Sequence, residues 1–233
     1  AEIEALIRDG GQARTTTMQT VVSLESTGRF EVLTSQFPAL QTSTTDIPNN
    51  LPTQPTPFVG RGPDLEQLED LLDTPDNRLI TILGPGGMGK TRIAVALAER
   101  RLIRHTDGAF FVPLAGVDSA EHVLPAIADP LHFTFGGANT KEDLINYLRE
   151  KNMLLVLDNF EHVTGSADLV ADLLANAPHL TIIVTSRERL RLRGEHIYEV
   201  NGMIVPKTED ETPERLLNYP SVLLFLQSAC RVT

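Results

Sequence analysis

Leu79-Ile80-Thr81-Ile82-Leu83-Gly84-Pro85-Gly86-Gly87-Met88-Gly89-Lys90-Thr91 is the stretch on which the fold turns. Its first five residues, apolar or β-branched, read as a buried strand. Gly84 to Thr91 fit G-x-x-x-x-G-K-[ST], and the Ala-, Ile-, Leu-, Glu- and Arg-rich run from Thr91 to Ile103 reads as a helix. Strand, glycine loop, helix is the context in which this motif cradles phosphate. Small Gly84, Gly86, Gly87 and Gly89 let successive backbone N–H groups turn toward one centre that a side chain would block. The helix start adds its positive end. Lys90 supplies a mobile charge for the β- and γ-phosphates and Thr91 a hydroxyl for magnesium. Pro85, Met88 and Arg92 complete the candidate binding set. A glycine turn that merely joins strand to helix is the plainer reading, and the full eight-residue match in context outweighs it.

Working outward, Pro63 suits a first helical turn, and Leu65, Leu68, Leu71 and Leu72 form one stripe, so residues 63–73 read as an amphipathic helix. Residues 109–112, 153–157 and 181–184 read as further strands, and 196–200 as a fifth. Helical patterns fall at 119–128, 141–151 and 166–176. Strands alternating with helices predict an α/β fold: a mainly parallel sheet covered on both faces, with ligands at the carboxyl ends of its strands.

Two other strand ends carry polar groups toward that rim. Leu154-Leu155-Val156-Leu157 runs straight into Asp158, placing a carboxylate at the tip of a neighbouring strand, where magnesium needs a second protein contact. A turn-forming Asp is the alternative. After Ile182-Ile183-Val184, the residues Thr185-Ser186-Arg187 put a guanidinium at the same rim. Its planar fork suits a γ-phosphate. Arg189, Arg191 and Arg193 read instead as a solvated face or a patch against another domain.

The 233 residues carry 20 Lys and Arg against 31 Asp and Glu, a net charge of −11 spread along the chain. That acidity opposes a large nucleic-acid footprint, which needs clustered basic residues. One cysteine, Cys230, allows no internal disulfide, and no Cys/His spacing suits zinc. The longest apolar runs are far too short for a bilayer. The acidic start, Ala1-Glu2-Ile3-Glu4, lacks a signal-peptide pattern, so the expectation is cytoplasmic with no membrane partner. Ile3, Leu6 and Ile7 sit at helical spacing, and Val21, Val22 and Leu24, then Phe30, Val32 and Thr34, suggest short strands. Residues 33–57 are rich in Thr, Ser, Gln, Asn and Pro and read as an extended linker. With no initiator Met and a helix-like end from Ser221 to Thr233, the chain reads as a piece of a longer protein.

Phe58-Val59-Gly60-Arg61, GPGGMGKT, LLVLDNFEH (Leu154–His162) and VTSRERL (Val184–Leu190) with RGE (Arg193–Glu195) together resemble the signal-transduction ATPases with numerous domains, the STAND class. That class is related to the NB-ARC domains of apoptotic and plant-resistance proteins. The resemblance covers residues 51–206 and is strongest to the bacterial group found in large transcriptional regulators and downstream of nucleotide-cyclase domains. It implies a P-loop NTPase core, a helical lid, a winged-helix element and often tetratricopeptide-type repeats. It implies ATP or ADP as ligand with Mg2+, other domains of the same protein as partners, and a homo-oligomer on activation. Val59 and Arg61 would then lie near the adenine, and Pro206 would pack on the base from the lid side. Fast P-loop ATPases commonly carry a glutamate directly after the strand-end aspartate. Here that place is Asn159, with Glu161 nearby, so slow Mg-dependent hydrolysis is expected, with Lys90, Asp158, Glu161 and Arg187 as the catalytic candidates.

The expected division is residues 1–50 as a weakly structured segment and linker, 51–206 as the nucleotide domain, and 207–233 as the truncated start of a lid. Residues 1–50 faintly resemble a cyclase-to-ATPase connector, and no cyclase activity is assigned to them. Three rival readings remain. A steady-turnover AAA+-like ATPase is opposed by Asn159, a GTP switch by the absence of Asn-Lys-x-Asp, and a direct DNA binder by the acidic charge.

Overall fold

The computed structural model describes residues 18–24, 30–36, 47–74, 76–137, 139–207 and 213–229, in two units, Ala1–Ser43 and Thr44–Thr233. In the first unit, β1 (Met18–Leu24) pairs antiparallel with β2 (Phe30–Gln36), Val21 facing Leu33. The strands expected there are present. β2 continues past Leu33 to Gln36, where Thr34 favours strand and the pairing with Thr20, Gln19 and Met18 extends the ladder. The helix expected around Ile3–Ile7 lies outside the described residues.

The second unit is built on five parallel strands: β3 (Leu79–Leu83), β4 (Gly108–Pro113), β5 (Met153–Asp158), β6 (Thr181–Ser186) and β7 (His196–Glu199). Their order is β4-β5-β6-β3-β7, and every neighbouring pair is parallel. All six residues of β5 are buried, as in a strand covered on both faces. Alternation along the strands sorts the core into two clusters. Leu155, Leu157, Ile182 and Val184 face Ile127 of α3 (Val123–Ala128), Leu144 and Leu148 of α4 (Thr140–Leu148) and Leu173 of α5 (Ala167–Asn176). Ile80, Ile82, Leu154, Val156 and Ile183 face Leu65 and Leu68 of α1 (Gly62–Asp73) and Ile93 and Leu97 of α2 (Lys90–Arg101). Among the described residues no helix is long and apolar enough to cross a membrane.

Helix ends differ from the periodicity for local reasons. The run expected to Ile103 leaves α-geometry at Arg101 and tightens into a 3-10 turn, Leu102–Arg104. The pattern at 119–128 divides into a turn at Ala120–His122 and α3, in whose first turn Pro125 needs no hydrogen-bond donor.

Residues 47–57 are extended, as a linker would be, but they are fastened to the sheet. Ala109 N donates to Pro48 O (3.1 Å). The Asn50 side chain then acts as one rung of a ladder: Phe111 N donates to its Oδ1 (2.6 Å), and its Nδ2 donates to Phe111 O (2.9 Å). Ile47 and Leu51 pack half-buried against the α1/α2 cluster. Composition could not show this strap, because its key partner is a side-chain amide.

β6 lies between β3 and β5, so Asp158 does not sit on the strand beside the phosphate loop. α2 starts at that loop and packs across β6 and β5, which brings its first turn to Asp158.

Candidate functional site

The loop leaves β3 at Gly84, whose N donates to Ser186 O at the end of β6 (3.3 Å). It enters α2 through Gly89, at φ 83°, a left-handed conformation that a side chain resists. Lys90 follows, only 7% exposed. Its Nζ donates to Gly84 O (2.8 Å) and Pro85 O (3.0 Å), so the ammonium folds back over the loop and uses two of its three protons there.

Thr91, in the same turn, donates from Oγ1 to Asp158 Oδ1 (2.7 Å). Thr185 Oγ1 donates to the same oxygen (2.6 Å) and accepts from Asn159 N (3.0 Å). Asp158, Thr185 and Ser186 are all buried. Thr185 was not singled out by the motif reading. The available signal was the break from Ile182-Ile183-Val184 into two hydroxyl residues at the end of β6. A hydroxyl and a carboxylate at 2.7 Å are hard oxygen donors of the kind magnesium prefers when phosphates supply its remaining contacts. Among the described residues no group of three or more His, Cys, Asp or Glu is placed to hold a metal alone. The donor set therefore fits magnesium carried in with a polyphosphate.

Arg187 reaches the loop from β6. A Cβ added to Gly86 would lie 3.2 Å from its Nη2. Its Nε is 3.1 Å from Glu161 Oε1, yet the geometry is off-axis and neither Glu161 oxygen accepts a hydrogen bond. Glu161 stands in a 3-10 turn, Phe160–His162, entered through Asn159 at φ 61° and anchored by fully buried Phe160. Lys90, Thr91, Asp158, Glu161 and Arg187 are thus gathered at one rim. Arg189, Arg191 and Arg193 are exposed, Arg189 pairing with Glu199 at the end of β7 (3.2 Å).

Beside the loop is a cavity of about 340 Å³, small for a ligand site. Phe58 and Val59, Gly87 to Gly89, Arg92 and Ile93 form one side. Met203 and Leu224, the latter on α7 (Pro220–Ala229), form the other. Arg61 is buried in the wall, donating from Nη2 to Met88 O (3.3 Å) and pairing with Asp64 (3.4 Å). Tyr198 OH also donates to Asp64 (3.0 Å). Burial first, and that bond second, push the Tyr198 phenol up to about 12. Arg92 spends its Nη2 on the carbonyls of Thr56 (2.6 Å) and Pro57 (2.7 Å), holding the strap beside the cavity. Pro206 is not among the residues lining the cavity, whereas Met203 and Leu224 are. The short α6 (Pro213–Leu216) precedes α7. A larger hollow of about 430 Å³, at Asn49, Thr53, Glu99 and Leu102, contains none of the phosphate-loop residues and is not the site.

The NB-ARC domain family matches residues 62–194, more than half of the chain. A Mycobacterium tuberculosis protein provisionally named as an HTH-type transcriptional regulator is 38% identical over 131 residues, 55% of this chain and 15% of that protein. An uncharacterized protein of the same species is 32% identical over 179 residues, 76% of this chain and 42% of its own length. The chain thus spans less than half the length of either relative. Among solved structures, a STAND protein with a tetratricopeptide repeat sensor from Pyrococcus horikoshii covers 63% of this chain and 24% of its own, at 16% identity and a TM-score of 0.45. By its family match, and with the all-parallel sheet and glycine loop already described, the chain belongs to the NB-ARC domain family on a P-loop NTPase fold.

Proposed function

We propose that this chain is an adenine-nucleotide switch with slow Mg-dependent ATP hydrolysis, working inside a larger multidomain regulator. Residues 51–206 form its nucleotide domain, residues 207–233 begin a helical lid, and residues 1–50 form the preceding segment and linker. The observation that carries this reading is the cluster at the rim. Two hydroxyls, from Thr91 and Thr185, converge on Asp158 Oδ1 while Lys90 closes over the loop beside them.

Each residue then has a task. Lys90 exchanges the carbonyls of Gly84 and Pro85 for phosphate oxygens, which attract an ammonium more strongly than neutral acceptors do. Thr91 and Asp158 would hold magnesium, which offsets phosphate charge when bound. Thr185 keeps the Asp158 carboxylate aimed. Arg187 reads the γ-phosphate. The cavity lined by Val59, Met203 and Leu224, with Arg61 in its wall, receives the adenine. Asn159 cannot accept a proton as a carboxylate can, which leaves Glu161 to orient and deprotonate the attacking water, so turnover is slow.

ADP holds core and lid together. Exchange for ATP opens them for assembly into a homo-oligomer. Moving such an equilibrium from 1:99 to 99:1 takes about 5.5 kcal/mol of differential binding. Charge-assisted hydrogen bonds contribute roughly 1.5–3 kcal/mol each, so the phosphate contacts supply a share and other domains the rest.

The test is calorimetric titration of the chain with ATP and with ADP, with and without Mg2+. Micromolar binding of both nucleotides, weakened about fifty-fold in Lys90→Ala, is expected. Wild-type affinity in Lys90→Ala would defeat the reading. Turnover of many ATP per minute would favour the AAA+-like alternative over a switch.

A further inference from the structure

We propose that Glu161 is the positioning residue of Arg187: it holds the guanidinium in a latch that the terminal phosphate of a nucleoside triphosphate must break. The inference rests on the phosphate-loop reading above and adds to it the group that competes with the nucleotide.

Arg187 stands between Glu161 and Gly86. Its Nε is 3.1 Å from Glu161 Oε1, and its Nη2 lies 3.2 Å from where a Cβ on Gly86 would stand. The two partners of the ion pair are unequally free. The Glu161 side chain is 10% exposed and set in a turn fixed by buried Phe160 and left-handed Asn159, whereas the Arg187 side chain is 60% exposed. The carboxylate is therefore the fixed half and the guanidinium the movable half. Among the described residues Arg187 is the only ion-pair partner of Glu161, and neither carboxylate oxygen accepts a hydrogen bond. Withdrawing Arg187 leaves a carboxylate nine-tenths buried with its charge uncompensated, which opposes release.

An anion arriving at Gly86 therefore competes with Glu161 for one guanidinium. ATP carries that terminal phosphate and ADP does not, so the latch weighs against ATP alone. Its release also uncovers Glu161 at the moment the γ-phosphate arrives, which ties the sensor to the water-orienting carboxylate.

The experiment is a double-mutant cycle read by calorimetric Kd for a non-hydrolysable ATP analogue and for ADP, each with Mg2+, in wild type, Glu161→Gln, Arg187→Ala and the double variant. The solvent-exposed side of the pair keeps the effect modest. Glu161→Gln is expected to tighten the ATP analogue about three-fold with ADP unchanged, and that gain disappears when Arg187 is Ala. Glu161→Asp, which draws the carboxylate back by one methylene, shifts the ratio the same way by less and serves if the Gln variant misfolds. A gain that persists without Arg187, an equal shift for both nucleotides, or weaker ATP binding in Glu161→Gln would each overturn the latch. In those cases Lys90-dependent binding survives. Loss of that dependence would instead sink the phosphate-loop reading, and the latch with it.

Discussion

At the proposed phosphate end of the cleft, Lys90, Thr91, Asp158 and Thr185 are already held by hydrogen bonds of 2.6–3.0 Å between groups from α2, β5, β6 and the loop. At the proposed base end, Phe58, Val59, Met203 and Leu224 merely meet around a cavity. Its neighbours on the same segments, Ile204, Val205 and Phe225, are 71%, 59% and 70% exposed. The difference follows from the two halves of a nucleotide. A polyphosphate is recognised by directional donors, which must be aimed in advance. A purine is recognised by shape and apolar contact, which adaptable side chains supply as they close. The first end is therefore expected to tolerate little change and the second to adapt.

Lys90→Ala is the most severe test of that contrast. ATP and ADP affinities should both fall about fifty-fold, the size of one strong charge-assisted contact, in calorimetric titration. A loss confined to ATP would mean that the lysine reads only the last phosphate. Gly60→Ala comes next. At φ 74°, with an added Cβ only 2.2 Å from Pro220 Cβ, it should cost about 1–3 kcal/mol in urea unfolding. It would also push α7 from the base end while leaving Lys90 dependence intact. Thr185→Val keeps the side-chain shape and removes one hydroxyl from Asp158. Binding in the presence of Mg2+ should weaken about five-fold, corresponding to roughly 1 kcal/mol, with little change in its absence. Met203→Ala is the mildest, about two-fold for ATP and ADP alike. A ten-fold loss there would make the base end as exacting as the phosphate end.

The same contrast explains what the amino-acid order disclosed. The glycine loop, Asp158 and Arg187 sit directly at strand ends, where an apolar run breaks into a polar residue, so each was visible in one dimension. The parallel sheet was visible for the same reason, in β5 above all. Its strand order was not: that β6 separates β3 from β5 depends on how α2 packs, which no local pattern records. Thr185 is silent because a hydroxyl at a strand end has many ordinary uses. Met203 and Leu224 come from segments more than a hundred residues from the loop, and Pro206 rests on a short resemblance to the family's base-packing proline rather than on any local pattern. Glu161 was noted for its nearness to Asp158 in the chain, but its pairing with Arg187 depends on the left-handed step at Asn159.

The rung formed by Asn50 against Phe111 has a practical consequence. β4 is one of the two edge strands, and such a border offers unpaired amides and carbonyls as a template for another molecule's backbone. A version trimmed to begin at residue 62, where the family match starts, would strip that cover and invite self-association. One beginning at residue 47 or earlier would keep the border shielded.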